Sequence, residues 1–155
     1  MPKHEYIDLM LLQYQPLDSI NDNISKIELL LKKNNVKENT LIVCPELSIQ
    51  RYVCIIKSKK NISNAISLDS TEILLIKNIA IKYKIFLCIT IFEKLKDNYF
   101  NTALIINPKG NIIKKYHKKN IPSEVCYQES YYFNRSKNRY QFFSVGNFKI
   151  GILIC

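Results

Sequence analysis

Apolar residues in this chain change their period as the sequence proceeds, from short continuous runs to helical spacing and back, and that alternation most constrains the fold. The segment 6–15 (YIDLMLLQYQ) is mostly apolar and too short for a helix, so it predicts a buried strand ending near Gln13, closed by Pro16. Asp18 or Ser19 can then cap a helix in which Ile20, Ile24, Ile27, Leu30 and Leu31 share one face, fading near Asn34 and Asn35. Residues 40–44 (TLIVC) form a second β-rich run halted by Pro45, which leaves Glu46 just beyond a strand end. The polar stretch 51–68 has no clear period and predicts a surface loop with room for a short helical turn. Asp69 and Glu72 stand at capping-box spacing before a second amphipathic helix marked by Ile73, Ile76, Ala80 and Tyr83.

Strands dominate the chain from residue 85 onward. Residues 85–92 (IFLCITIF) and 100–107 (FNTALIIN) read as two of them, and Pro108-Lys109-Gly110 supplies a type I turn with glycine placed for positive φ, leading into a strand over 112–116. A loop over 117–138 precedes two further strands, 140–145 and 148–155, around Gly146-Asn147. No internal repeat is visible. A core strand that closes the chain has nothing after it to complete its sheet, so the domain reads as unfinished.

Length and composition bound the function classes. With 155 residues, 47% hydrophobic and 23% charged, the chain is one ordinary domain or a piece of one. No apolar run approaches the roughly 18 residues that span a bilayer, and the first residues lack a basic segment followed by a small-residue cleavage site, so a cytoplasmic protein is expected, with no membrane partner. Cys44, Cys54, Cys88, Cys126 and Cys155 are odd in number and include no Cys-x-x-Cys pair, which argues for free thiols and against a zinc site. Asn-x-Ser/Thr triplets at Asn23, Asn61 and Asn134 carry no information without a secretory signal. The net charge of +10 could serve a nucleic acid, but only Arg51, Arg135 and Arg139 are arginines, and a nucleic-acid reader more often uses the planar guanidinium; such a partner is not expected.

Taken singly, the chemically capable residues have bland readings. A cysteine at the end of an apolar strand most often packs as a small hydrophobe, and Cys155 alone would be one. Glu46 in CPEL is as readily a solvated strand-end carboxylate, and the lysines of KKYHKKNIP are ordinarily a charged face. Their combination is more specific. Gln13, Asn23, Pro45-Glu46-Leu47, Asn101-Thr102, Gly110, Tyr116-His117-Lys118 and Gly151-Ile152-Leu153-Ile154-Cys155 fall in an order and approximate spacing that resembles the nitrilase superfamily of carbon-nitrogen hydrolases over nearly the whole chain. Within it, Asn120-Ile121-Pro122 and the run Tyr127-Gln128-Glu129-Ser130-Tyr131-Tyr132-Phe133-Asn134 look most like the N-carbamoylputrescine amidase branch. The chain departs from that branch with Asn120 for a His, Cys126 for a Gly, Ser130 for a Lys, and Arg135-Ser136 for a Pro-Gly.

The resemblance implies an α+β fold, a four-layer α-β-β-α sandwich of which only the first part is present, the domain over 1–155 being cut at its nucleophile. It implies a hydrolase of a non-peptide carbon-nitrogen bond in a small amide or ureido substrate, such as N-carbamoylputrescine, with no cofactor or metal. It implies Glu46 as general base, Lys118 as oxyanion stabiliser, Cys155 as nucleophile, and Glu129 orienting Lys118 and water. An amide or ureido carbon is a poor electrophile, so a thiolate must attack it and a fixed ammonium must meet the oxyanion. A slip in strand register would exchange Lys118 for Lys119 or Lys115, since neighbours on a strand face opposite ways. The four other cysteines are expected to be structural. The full-length form is expected to be a homo-oligomer, at least a dimer, and the 155-residue chain alone inactive for want of the residues after the nucleophile. A second reading, motivated by length and charge, is a non-catalytic remnant or a basic binding module.

Overall fold

The computed structural model describes residues 6–137 and 142–155. Elements follow one another as β1 (Leu9–Leu11), α1 (Ile20–Lys33), β2 (Leu41–Val43), α2 (Thr71–Tyr83), β3 (Phe86–Leu95), β4 (Asn98–Ile106), β5 (Ile112–His117), a one-turn α3 (Glu129–Tyr132), β6 (Phe142–Val145) and β7 (Phe148–Gly151). The first five strands form a single sheet in the order β1-β2-β3-β4-β5. β1, β2 and β3 run parallel, joined through the two helices, whereas β3-β4 and β4-β5 are antiparallel.

Both faces of this sheet are covered, which explains its continuous rather than alternating apolar runs. On one face Ile24, Ile27 and Leu31 of α1 and Ile73, Ile76, Ile79 and Ala80 of α2 pack on Ile42, Leu87, Ile89, Ile91, Leu104 and Ile106. On the other, Leu41, Ala103, Ile105 and Tyr116 meet Phe143, Val145, Ile152 and Ile154 from the β6-β7 hairpin and the segment after it. Helices, sheet and a second, two-stranded sheet are thus stacked, the beginning of a sandwich.

Local chemistry sets the element ends. Ser19 Oγ accepts from the Asp22 backbone N–H and starts α1. For α2 the expected cap at Asp69 is replaced by Ser70, whose hydroxyl accepts from the Ile73 N–H, because the Asp69 carboxylate is occupied by the Ser67 hydroxyl. The stretch 51–68, expected as a surface loop with room for a short helical turn, carries two 3₁₀ turns, Val53–Ile55 and Lys59–Asn64. At the β4-β5 turn Gly110 has φ +77, and a Cβ there would lie 2.7 Å from Ile81 Cδ1, so both backbone and packing require glycine. β3 runs three residues past its expected end to Leu95, and β4 starts earlier at Asn98; the added residues begin with the buried carboxylate Glu93 and continue into the exposed tip 94–98, so they carry little apolar signal. The last expected strand, 148–155, is shorter than expected and ends at Gly151, which pairs with Phe142. Tyr140 and Gln141 of the other expected strand lie outside the described residues. No helix among the described residues is long and apolar enough to cross a membrane.

Candidate active site

Glu46 sits on a sharp turn after β2 that the sequence marks only with Pro45. Leu47 adopts φ +49, a conformation that costs a bulky residue about 1 kcal/mol and persists only where the surroundings enforce it. The enforcement is visible. Thr90 on β3 donates its hydroxyl to the Pro45 carbonyl at 2.8 Å, the Ser48 N–H reaches the Thr90 carbonyl at 3.0 Å, and Tyr14 donates to the Ser48 carbonyl at 2.8 Å. Asn23, fully buried on α1, uses its amide N–H groups on the carbonyls of Leu17, Ser19 and Ile49 and accepts from the Leu17 N–H, tying α1 to the residues just after Glu46.

Lys118 leaves the end of β5 and its ammonium lies 2.7 Å from Glu46 Oε1 and 2.9 Å from each oxygen of Glu129. Its backbone N–H donates to the Asn101 carbonyl at 2.9 Å, and the Asn101 side-chain N–H donates to the same Glu46 Oε1 at 2.7 Å. Glu129 is carried on α3, whose approach is fixed by the Gln128 N–H on the Cys54 carbonyl and by Tyr132, wedged against Phe92 and donating to the Ile56 carbonyl. Tyr52 donates to Glu129 Oε1 at 2.8 Å.

Glu46, Tyr52, Lys118, Pro122, Tyr127, Glu129 and Cys155 line a cleft of about 440 Å³. All four residues singled out from the sequence, Glu46, Lys118, Glu129 and Cys155, therefore meet at one place, and so do two tyrosines that were not. Tyr52 carries no local signal of this role, and Asn101, noted above only as part of the resemblance, acts through Glu46 on a distant element. The register alternatives are separated by geometry: Lys115 pairs with Glu93 at 2.9 Å on the opposite face of β5, and only Lys118 reaches both Glu46 and Glu129.

The two carboxylates are not equivalent. The Glu129 side chain is 2% exposed and that of Glu46 29%, so Glu46 is the more accessible of the two. Burial alone would depress the Lys118 ammonium, but its hydrogen bonds to Glu46 and Glu129, with their charges, hold its pKa above the ordinary lysine value, so it stays cationic. Among the other thiols, Cys54 is buried beside the site and is pushed up to about 12, first by burial and then by the charges of Glu129 and Glu46; it remains a thiol at neutral pH. Cys44 is also buried and raised, by burial and then by Cys88, while Cys126 is exposed on a turn, contrary to the expectation that it is a packed structural residue. Among the described residues no group of three His, Cys, Asp or Glu side chains could hold a metal ion.

A family model described as carbon-nitrogen hydrolase matches residues 10–155. The chain is similar to the N-carbamoylputrescine amidase of Solanum tuberosum, 26% identical over 154 residues covering 99% of this chain and 51% of that protein. It is also similar to a citrullinase of Francisella tularensis subsp. tularensis, 31% identical over 142 residues covering 89% of this chain and 49% of that protein. In fold it resembles the crystal structure of a carbon-nitrogen hydrolase from Helicobacter pylori G27, with a TM-score of 0.84 at 24% identity, covering 96% of this chain and 51% of that one. The chain spans about half the length of the curated relatives it matches.

Proposed function

Because the chain belongs to the carbon-nitrogen hydrolase family, we propose that it carries the base, lysine and nucleophile of an amidase that cleaves a carbon-nitrogen bond in a small substrate through a thioester on Cys155. The observation that carries this reading is the cleft in which one cationic lysine is held between two carboxylates of unequal exposure, with Cys155 also in its lining.

In the proposed reaction Glu46 accepts the Cys155 thiol proton as Sγ attacks the carbonyl carbon. Lys118 donates to the oxygen as it becomes negative; single donors of this kind contribute on the order of 3 to 4 kcal/mol to the transition state. The tetrahedral intermediate collapses with loss of ammonia, which takes its proton from Glu46. Water, deprotonated by Glu46, then attacks the thioester and releases the acid and the thiol. Glu129, nearly fully buried in the cleft wall, keeps Lys118 in place, and Tyr52 holds Glu129.

For the substrate we favour a ureido compound, with N-carbamoylputrescine foremost. Two similar proteins are named for N-carbamoylputrescine and for citrulline, and both of those molecules end in a ureido group. With N-carbamoylputrescine the products are putrescine, ammonia and CO2, the last from the carbamate left after thioester hydrolysis. We assign turnover to the whole domain, assembled at least as a dimer in the cytoplasm. Mass spectrometry of the full-length protein, quenched during turnover of a ureido substrate, tests the reading: an adduct of the substrate less ammonia, an N-substituted carbamoyl thioester, is expected on the peptide containing Cys155 and not on those containing Cys54 or Cys126. Turnover with an adduct on another cysteine, or with none even in a Lys118→Ala protein, would refute it.

A further inference from the structure

Behind the cleft, on the helix-facing side of the same sheet, lies a second buried polar cluster that the proposed chemistry does not use. Its centre is Glu93 on β3, with no exposed surface. Glu93 Oε2 accepts from the Thr102 hydroxyl on β4 at 2.7 Å and lies 2.8 Å from His117 Nε2 on β5, while Oε1 accepts from Lys115 Nζ on β5 at 2.9 Å. The His117 ring stacks on Phe100 at 4.0 Å between centroids. One carboxylate thus reaches across β4 and grips β5, two strands away.

β5 has reason to need that grip. Among the described residues it is an edge strand of its sheet, and its pairing with β4 shifts register between Ile105 and Ile106, so the ladder that holds it to β4 is irregular. The gripped residues are the immediate neighbours of the two donors on Glu46: Asn101 precedes Thr102, Lys118 follows His117, and Thr102 pairs with His117. Consecutive residues on a strand face opposite ways, so a clamp on one face fixes the height at which the next side chain leaves the other. A fully buried carboxylate is costly to maintain and is strongly missed when removed, because the Lys115 ammonium is left unpaired.

We infer that Glu93 is a positioning residue, which, through Thr102, Lys115 and His117, locks β5 against β4 so that Lys118 and Asn101 converge on Glu46 Oε1. The inference rests on the proposed role of Lys118 for its effect on turnover, but its structural half is independent of that role. A displacement of about 1 Å at a catalytic group can cost on the order of 100-fold in rate.

The test compares Glu93→Gln with Ile76→Val, a mild core change in α2 remote from β5. A lysine ammonium buried among hydrogen bonds exchanges its protons slowly and is visible by NMR. The Lys118 ammonium signal is expected in the parent protein and in Ile76→Val, and at least tenfold faster exchange is expected in Glu93→Gln with the rest of the spectrum still dispersed. In the full-length protein Glu93→Gln should lower kcat by about 10- to 100-fold with KM nearly unchanged. An unchanged Lys118 signal in folded Glu93→Gln overturns the inference. Should that variant not fold, Thr102→Val, which removes one of the three bonds at little change in volume, is expected to speed the same exchange several-fold, and no change in it would overturn the inference equally. Faster Lys118 exchange supports the clamp even in a protein without turnover, an outcome that would count against the catalytic reading alone.

Discussion

Lys118 binds two carboxylates with one ammonium, and the energetic consequence is asymmetric. Removing one member of a buried ion cluster leaves the others uncompensated, so Lys118→Ala should destabilise the fold by about 3 to 5 kcal/mol, read from urea unfolding. Lys115→Ala should cost less, since its ammonium is 31% exposed and water replaces part of what it loses. Glu93 gives a pH signature. Burial pushes its carboxyl up, but hydrogen bonds from His117, Thr102 and Lys115, with the Lys115 charge, outweigh this and lower it from the ordinary 4.5 to about 2. Folding therefore stabilises the ionised form, by on the order of 3 kcal/mol at neutral pH. That contribution is complete above about pH 5 and is lost as pH falls toward 2, so the acid-unfolding midpoint should move or vanish in Glu93→Gln. The resemblance carried by motifs along the chain is what points to Glu46, Lys118, Glu129 and Cys155, and it includes Asn101 without indicating its bond to Glu46. It does not point to Tyr52 or Glu93, which meet Glu129 and His117 from 77 and 24 residues away, neighbours only once the sheet exists.

At the scale of elements, periodicity locates the helices and the central strands because their buried faces are nearly unbroken Ile and Leu. It fails where an element ends in polar residues, as at the β3-β4 tip, and where competing side chains can cap, as at Asp69 and Ser70. The turn that carries Tyr127 into the cleft gives an element-level prediction. Glu124 and Tyr127 exchange backbone hydrogen bonds of 3.3 and 2.9 Å around Val125 and Cys126, and Cys126 sits at φ +65. The second central residue of such a turn favours glycine, and the related amidase branch resembled by this loop has glycine at that position. Since Cys126 is exposed and loses no packing, Cys126→Gly should stabilise the protein by roughly 1 kcal/mol, measured as a rise in the urea midpoint at unchanged slope. A loss of stability would mean that the thiol makes a contact that outweighs the strain.

For the whole molecule, the layering arises from two apolar faces on one sheet: α1 and α2 cover one, and β6, β7 and residues 152–154 begin to cover the other. Leu9 and Leu11 on β1 remain 57% and 70% exposed, and Leu153 72%. The chain meets its relatives over about half their length, and the described residues already bring Glu46, Lys118 and Cys155 to a single cleft. The most direct test of that arrangement as an active site is ammonia release from N-carbamoylputrescine and citrulline by the full-length protein and its Cys155→Ala variant. Release by the parent, reduced at least about 1000-fold in the variant, is the predicted result. Equal release by both proteins, or none by the parent on any ureido or amide substrate, would contradict it.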